Sequence, residues 1–108
     1  MSMILEKCTE LNNLIKASPE YRNYINARNA IKADENLYSS LMNFKQHYTD
    51  VMQYTEGNPY DEIYKIYNEN DDLLHNSTVN AYLRAESAFS RLIRQVIGEV
   101  SKDINIEA

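Results

Sequence analysis

NSTVNAYLRAESAFSRLIRQV, residues 76 to 96, is the stretch whose reading decides the fold. Tyr82, Glu86, Phe89, Ile93 and Val96 recur at alternating spacings of four and three, and Val100 continues the series. Val79, Leu83, Leu92, Ile97 and Ile104 widen the same stripe. Successive residues of an α-helix are rotated by about 100°, so this spacing predicts one long amphipathic helix over residues 78–104. Asn76, Ser77 and Thr78 supply three side chains able to accept hydrogen bonds from its first, unpaired amides.

One position breaks the apolar series. Glu86 stands where a hydrophobe belongs, and a charge on a helical seam is costly unless it is paired. The pattern therefore predicts an Arg, Lys or Tyr hydroxyl partner from another helix or another subunit, or displacement to the edge of the bundle. A polar group on such a seam can fix register and choice of partner. Glu86, Tyr82, Phe89, Ile93 and Val96 form the candidate interaction and register set. A catalytic acid is the competing role for Glu86, and no second catalytic group lies near it in sequence.

Working outward, the rest of the chain also reads as helix. Ile4, Cys8, Leu11 and Ile15 place an apolar stripe on a first helix ending near Ala17, with Cys8 acting as a small hydrophobe on it. Ser18, Pro19 and Glu20 are N-cap, first-turn proline and dipole-compatible acid in the right order, and open a second helix to about Lys32. That helix is expected to bury Tyr21, Tyr24, Ile25, Ile31 and the stem of Arg28. Asp34 caps a third, longer helix, residues 35–55, whose seam is Leu37, Leu41, Phe44, Tyr48 and Val51. Glu56, Gly57, Asn58 and Pro59 interrupt it. A fourth helix carries Ile63, Ile66, Tyr67, Leu73 and Leu74 as far as His75, and its polarity at NENDD makes it the least strongly packed.

These elements predict an all-α fold: a single domain over residues 1–108, a bundle of about five helices, two of them long. Composition agrees. Two glycines and two prolines in 108 residues are too few for the turns of a sheet-rich chain. A chain of this size buries its surface incompletely, and two long amphipathic helices leave apolar area over, so a dimer packed helix to helix is expected.

Charge narrows the partners. Eleven basic residues stand against sixteen acidic ones, a net charge of −5, which disfavours non-specific duplex binding driven by counterion release. The block charges are +2 over residues 1–33, −3 over 34–59, −4 over 60–75 and 0 over 76–108. Arg84, Arg91 and Arg94 form a short basic stripe that points away from the Tyr82–Phe89 side of the last helix. With tyrosines it is a candidate single-stranded RNA surface, but a solvated face is the simpler reading. Cys8 is the only cysteine, so there is neither an intramolecular disulfide nor a thiolate cage, and a reducing compartment suits the chain. No stretch approaches the roughly 20 apolar residues of a membrane span, and the N-terminal apolar run is too short for a signal peptide. A cytoplasmic protein without membrane contact is expected.

Motifs of catalysis and cofactor binding are missing. Glu62, Glu69, Glu86 and Glu99 are followed three residues on by Lys65, Asp72, Phe89 and Lys102, so no Glu-x-x-His pair exists for a di-iron bundle. Asp72 with His75 is the nearest imitation, and it stands alone. The NENDD run lacks the glycine and the terminal bidentate glutamate of a calcium loop. No phosphate loop, nucleophile elbow or zinc-protease motif occurs, and His47 has no nucleophile beside it. No enzyme, metal or cofactor is expected.

The SPEY helix start near residue 20, the LMNFKQ of the third helix and above all Asn76-x-x-Val79-x-x-Tyr82-Leu83-x-Ala85-Glu86-x-x-Phe89-x-x-Leu92 resemble the YlbF/YmcA family of small helical bacterial proteins. The resemblance runs over about residues 3 to 104. It implies an all-helical, dimer-forming, non-enzymatic cytoplasmic protein, a homodimer or a heterodimer with a related helical chain. It further implies a regulator acting with protein partners in competence, sporulation and biofilm development through mRNA processing, or a relative of unassigned role. Some members hold iron–sulfur clusters on cysteines. The tail SKDINIEA has none, so that property is not carried over.

Overall fold

The computed structural model describes residues 2–105, and every described element is a helix. They are α1 (Met3–Lys16), α2 (Pro19–Lys32), α3 (Glu35–Tyr54), α4 (Tyr60–Glu69), α5 (Asp71–Leu74) and α6 (Ser77–Ser101). The starts follow local chemistry. Ser18 Oγ accepts the Tyr21 amide at 3.2 Å, Asp34 Oδ1 accepts the Leu37 amide at 3.1 Å, and Asn76 Oδ1 accepts the amides of Thr78 and Val79 at 2.9 and 3.1 Å. Each of these caps satisfies amides that the first helical turn leaves unpaired. Between α3 and α4 the chain turns through Gly57, whose φ of 80° suits a residue without Cβ, and Asn58 Oδ1 accepts the Tyr60 amide at 3.0 Å.

The core is small and shared by four helices. Ile31 of α2, Leu41 and Phe44 of α3, Ile66 of α4, and Val79 and Tyr82 of α6 form one buried cluster. Leu37, Val51, Leu73, Leu74 and Leu83 pack around it. α2 and α6 make the most extensive helix pair, α3 joins α2 to α4, and α5 ties α3 and α4 to the start of α6.

Four expectations need correction. The fourth helix is two: Asn70 leaves helical geometry at φ −113° and ψ 26°, and its side-chain amide donates to the Ile66 carbonyl at 2.7 Å, so α4 stops and one short turn, α5, follows. The last helix ends at Ser101 and not at 104, where Ser101 Oγ donates back to the Ile97 carbonyl at 2.6 Å and Asp103 takes a φ of 60°. Arg28 is exposed on α2 and does not join its buried face. Finally, α1 and not α4 is the least packed helix. α4 buries Ile63 and Ile66, whereas α1 buries nothing and its Cys8 is exposed.

That last difference shapes the whole molecule. Its extents are 51 × 38 × 18 Å, about two helix layers thick, and its radius of gyration is 18.1 Å against about 13 Å for a compact chain of this length. The accessible surface is 8527 Å², about 2,300 Å² more than a compact monomer of this mass exposes. Part of this exposed surface is apolar. Met3, Ile4, Leu5 and Leu14 on α1 are 62 to 74% exposed, and Ile97, Val100 and Ile104 at the far end of the chain are 60 to 67% exposed.

Candidate functional site

The seam of α6 is divided. Its first half lies inside the molecule. Phe89 packs between two α2 tyrosines, 5.2 Å from the Tyr21 ring and 5.5 Å from the Tyr24 ring, the second pair stacked. Tyr24 also meets Tyr82 at 5.9 Å. Aromatic pairs at these separations contribute beyond their burial alone, so this cluster pins α6 against α2 at a defined height.

Glu86 sits one turn past Tyr82 and is paired. Lys45 of α3 reaches it with its Nζ 2.7 Å from Oε1 and 2.5 Å from Oε2, both side chains about one-third exposed. The same ammonium lies 5.1 Å from the Tyr82 ring centroid, within cation–π range. Burial pushes the Tyr82 phenol above its ordinary range, reinforced by the neighbouring Tyr24 hydroxyl and the Glu86 carboxylate. A lysine from α3, a tyrosine from α2 and a tyrosine and glutamate from α6 thus meet where the three helices converge. Every buried side-chain nitrogen or oxygen among the described residues has a hydrogen-bond partner. The arrangement ties α3 to α6 through an ion pair and places the Lys45 ammonium over the Tyr82 ring.

Lys45 is the member that sequence periodicity did not single out. It lies one residue off the α3 seam, four after Leu41, and only the crossing of α3 over α6, 41 positions away in sequence, gives it a partner. A basic residue flanking a seam that must receive an acid is the signal that was available.

The second half of the seam opens outward. Ile93 and Val96 are half-buried, Val100 is 60% exposed, and Ile97 and Ile104 continue the open apolar strip. Tyr82, Glu86 and Phe89 are therefore intramolecular, whereas Ile93 and Val96 stand where the covered part of the seam gives way to the open part. Arg84, Arg91 and Arg94 are all exposed on the opposite side. Arg84 and Arg91 flank a shallow groove with Asn80, Ser87 and Ala88. The exposed tyrosines, Tyr54, Tyr60, Tyr64 and Tyr67, lie on α3 and α4 and not on the helix that carries these arginines.

His75 does not close on Asp72. Its Nδ1 lies 3.3 Å from Asp71 Oδ1 and 2.8 Å from the Asp71 carbonyl, a local contact at a solvated helix end. Among the described residues no group of three or more His, Cys, Asp or Glu side chains is gathered for a metal, and no helix is long and apolar enough to cross a membrane.

Comparison with known proteins agrees with this architecture. The family described as "Control of competence regulator ComK, YlbF/YmcA" matches residues 4–105. A UPF0342 protein of Desulfitobacterium hafniense (strain Y51) is 31% identical over 111 residues, covering 94% of this chain and 86% of that protein. No solved structure matches significantly.

Proposed function

The chain belongs to the YlbF/YmcA family of competence-control regulators, and we propose that it works as a non-enzymatic helical adaptor that pairs through α1 and the end of α6. The observation that carries this is the open apolar half of the molecule. A standard interface removes about 800 Å² from each partner and an obligate one more, up to about 2,500 Å². The excess surface of about 2,300 Å² is comparable to what one partner loses in the larger interfaces, and the apolar side chains exposed on α1 and at the end of α6 are of the kind that association covers. The occupant is a second copy or a related helical chain, which presents the same kind of face. The paired centre Tyr82–Glu86–Lys45 then has a structural role, fixing the angle at which α6 leaves the core and so aiming the open strip.

Through such a scaffold the chain takes part in regulation by protein contacts, with mRNA processing in competence, sporulation and biofilm development as the setting that its family suggests. The reading of Arg84, Arg91 and Arg94 as an RNA surface is weaker, because the exposed rings that would stack on bases lie on other helices. Crosslinking with mass spectrometry in the native extract tests the adaptor reading. Crosslinks joining Lys7 or Lys16 of α1 to Lys102 beyond α6 of a second chain are expected. Crosslinks confined within single molecules under all growth conditions would reject it.

A further inference from the structure

Two helical arms leave the molecule at the same end. Tyr21, in the first turn of α2, packs on Phe89 of α6 at 5.2 Å, so α1, which leads into α2, and the part of α6 beyond Phe89 both start from this junction. From Phe89 to Ser101 is about 18 Å of helix, and the 14 residues of α1 span about 21 Å. On each arm one apolar stripe begins under cover and runs into solvent. On α1, Leu11 and Ile15 near the junction are half-buried, while Ile4 and Cys8 on the same stripe are exposed, with Leu5 and Leu14 beside them. On α6, Ile93 and Val96 are half-buried, and Ile97 and Val100 beyond them are exposed. α1 packs on α2 and not along α6, so the chain carries two uncovered stripes of matching length that it does not bring together itself.

Charge allows a second copy to bring them together. The net charge of −5 sets two copies against each other, but the excess of acid sits in residues 34–75, on α3, α4 and α5. The arms are balanced: Lys7 and Lys16 offset Glu6 and Glu10 on α1, and Arg94 offsets Glu99 on the last turns of α6. Two copies meeting arm to arm therefore oppose no like-charged blocks. Area agrees, since the surplus of about 2,300 Å² is comparable to what one chain gives up in the larger interfaces. Each copy holds both an arm to give and a stripe to receive one, so the exchange is reciprocal and closes about a twofold axis. We propose that two copies exchange their first helices: α1 of each lies along the exposed end of α6 of the other, and the four arms form an intermolecular four-helix bundle. The proposal rests on the pairing reading and adds to it the occupant and which stripe covers which.

Complementation between two full-length variants tests the exchange. Ile4→Lys/Leu14→Lys spoils the arm and leaves the receiving stripe, whereas Ile97→Glu/Val100→Glu spoils the receiver and leaves the arm. All four positions are exposed, so both variants should keep the parent's circular dichroism. Each alone is expected to pair at least about tenfold more weakly than the parent. Mixed in equal amounts at physiological salt, they should form a dimer of one of each, about tenfold tighter than either variant with itself, because one of its two α1–α6 contacts is intact. A fluorescent peptide of residues 2–17 should bind the arm variant and not the receiver variant. Cys8 lies on the exchanged stripe, so its alkylation in the parent should slow as concentration rises through the pairing range. A mixture that stays monomeric while the parent pairs would overturn the exchange and leave pairing standing, with like stripes meeting like. Variants that each pair as tightly as the parent would overturn it as well. A parent that is monomeric at tens of micromolar would overturn it together with self-pairing, leaving a related helical chain as the occupant.

Discussion

The two halves of α6 carry the same apolar repeat and meet opposite fates. From Val79 to Phe89 the repeat is enclosed by α2 and α3 and includes a paired charge; from Ile97 to Val100 it faces solvent. The difference lies in what surrounds each half. The closed half has α2 and α3 to pack against. The open half extends beyond them, as α1 does, and both leave apolar side chains exposed. Under the pairing proposed above, the repeat that outruns its own fold is the surface for another chain, and the closed half holds the open half at a fixed angle.

The largest effect should come from removing volume in the closed half. Leu41→Ala deletes a fully buried side chain beside Phe44 and Val79 and is expected to cost about 2–5 kcal/mol in the denaturant midpoint, enough to unfold much of a small domain. Next is Glu86→Ala, which leaves the half-buried Lys45 ammonium without its partner. A loss of about 1–2 kcal/mol is expected, since the pair is still partly solvated. The double change Lys45→Met/Glu86→Leu should restore or exceed parental stability while allowing more than one dimer geometry, visible as broadened or doubled NMR resonances.

Alkaline pH gives a smaller, graded effect. The Tyr82 phenol ionises in the unfolded chain near its ordinary value of 10.0, but burial keeps it neutral in the folded one. Its contribution is complete below that pH and is lost as pH rises above it. Unfolding free energy should therefore decline above about pH 10, and Tyr82→Phe should decline less steeply over the same range. In the open half, Ile97→Glu should change the stability of a single chain by no more than about 0.5 kcal/mol, because nothing in that chain covers the side chain.

Local chemistry was readable from the residues alone. Ser18, Asp34 and Asn76 cap where their side-chain oxygens imply, and the seams of α3 and α6 lie where their spacing puts them. What escaped was non-local or fine-grained. Periodicity located the α1 stripe but not that Cys8 would find no cover, because a repeat gives direction and not what lies opposite. The break at Asn70 goes with one side-chain amide that joins the Asn70 backbone amide on the Ile66 carbonyl while the Asn70 backbone leaves helical geometry. At the candidate site, Glu86 announced itself as an acid on an apolar seam, whereas Lys45 became visible only once α3 crossed α6.

Sedimentation equilibrium of the parent chain beside Ile97→Glu/Val100→Glu tests the central claim most directly, because those positions touch the open half and leave the core alone. The parent is expected to sediment at twice its 12.6 kDa mass in the micromolar range, and the variant at the monomer mass with its helical circular dichroism retained. A parent that remains monomeric at tens of micromolar, or a variant that still pairs as tightly, would contradict the account.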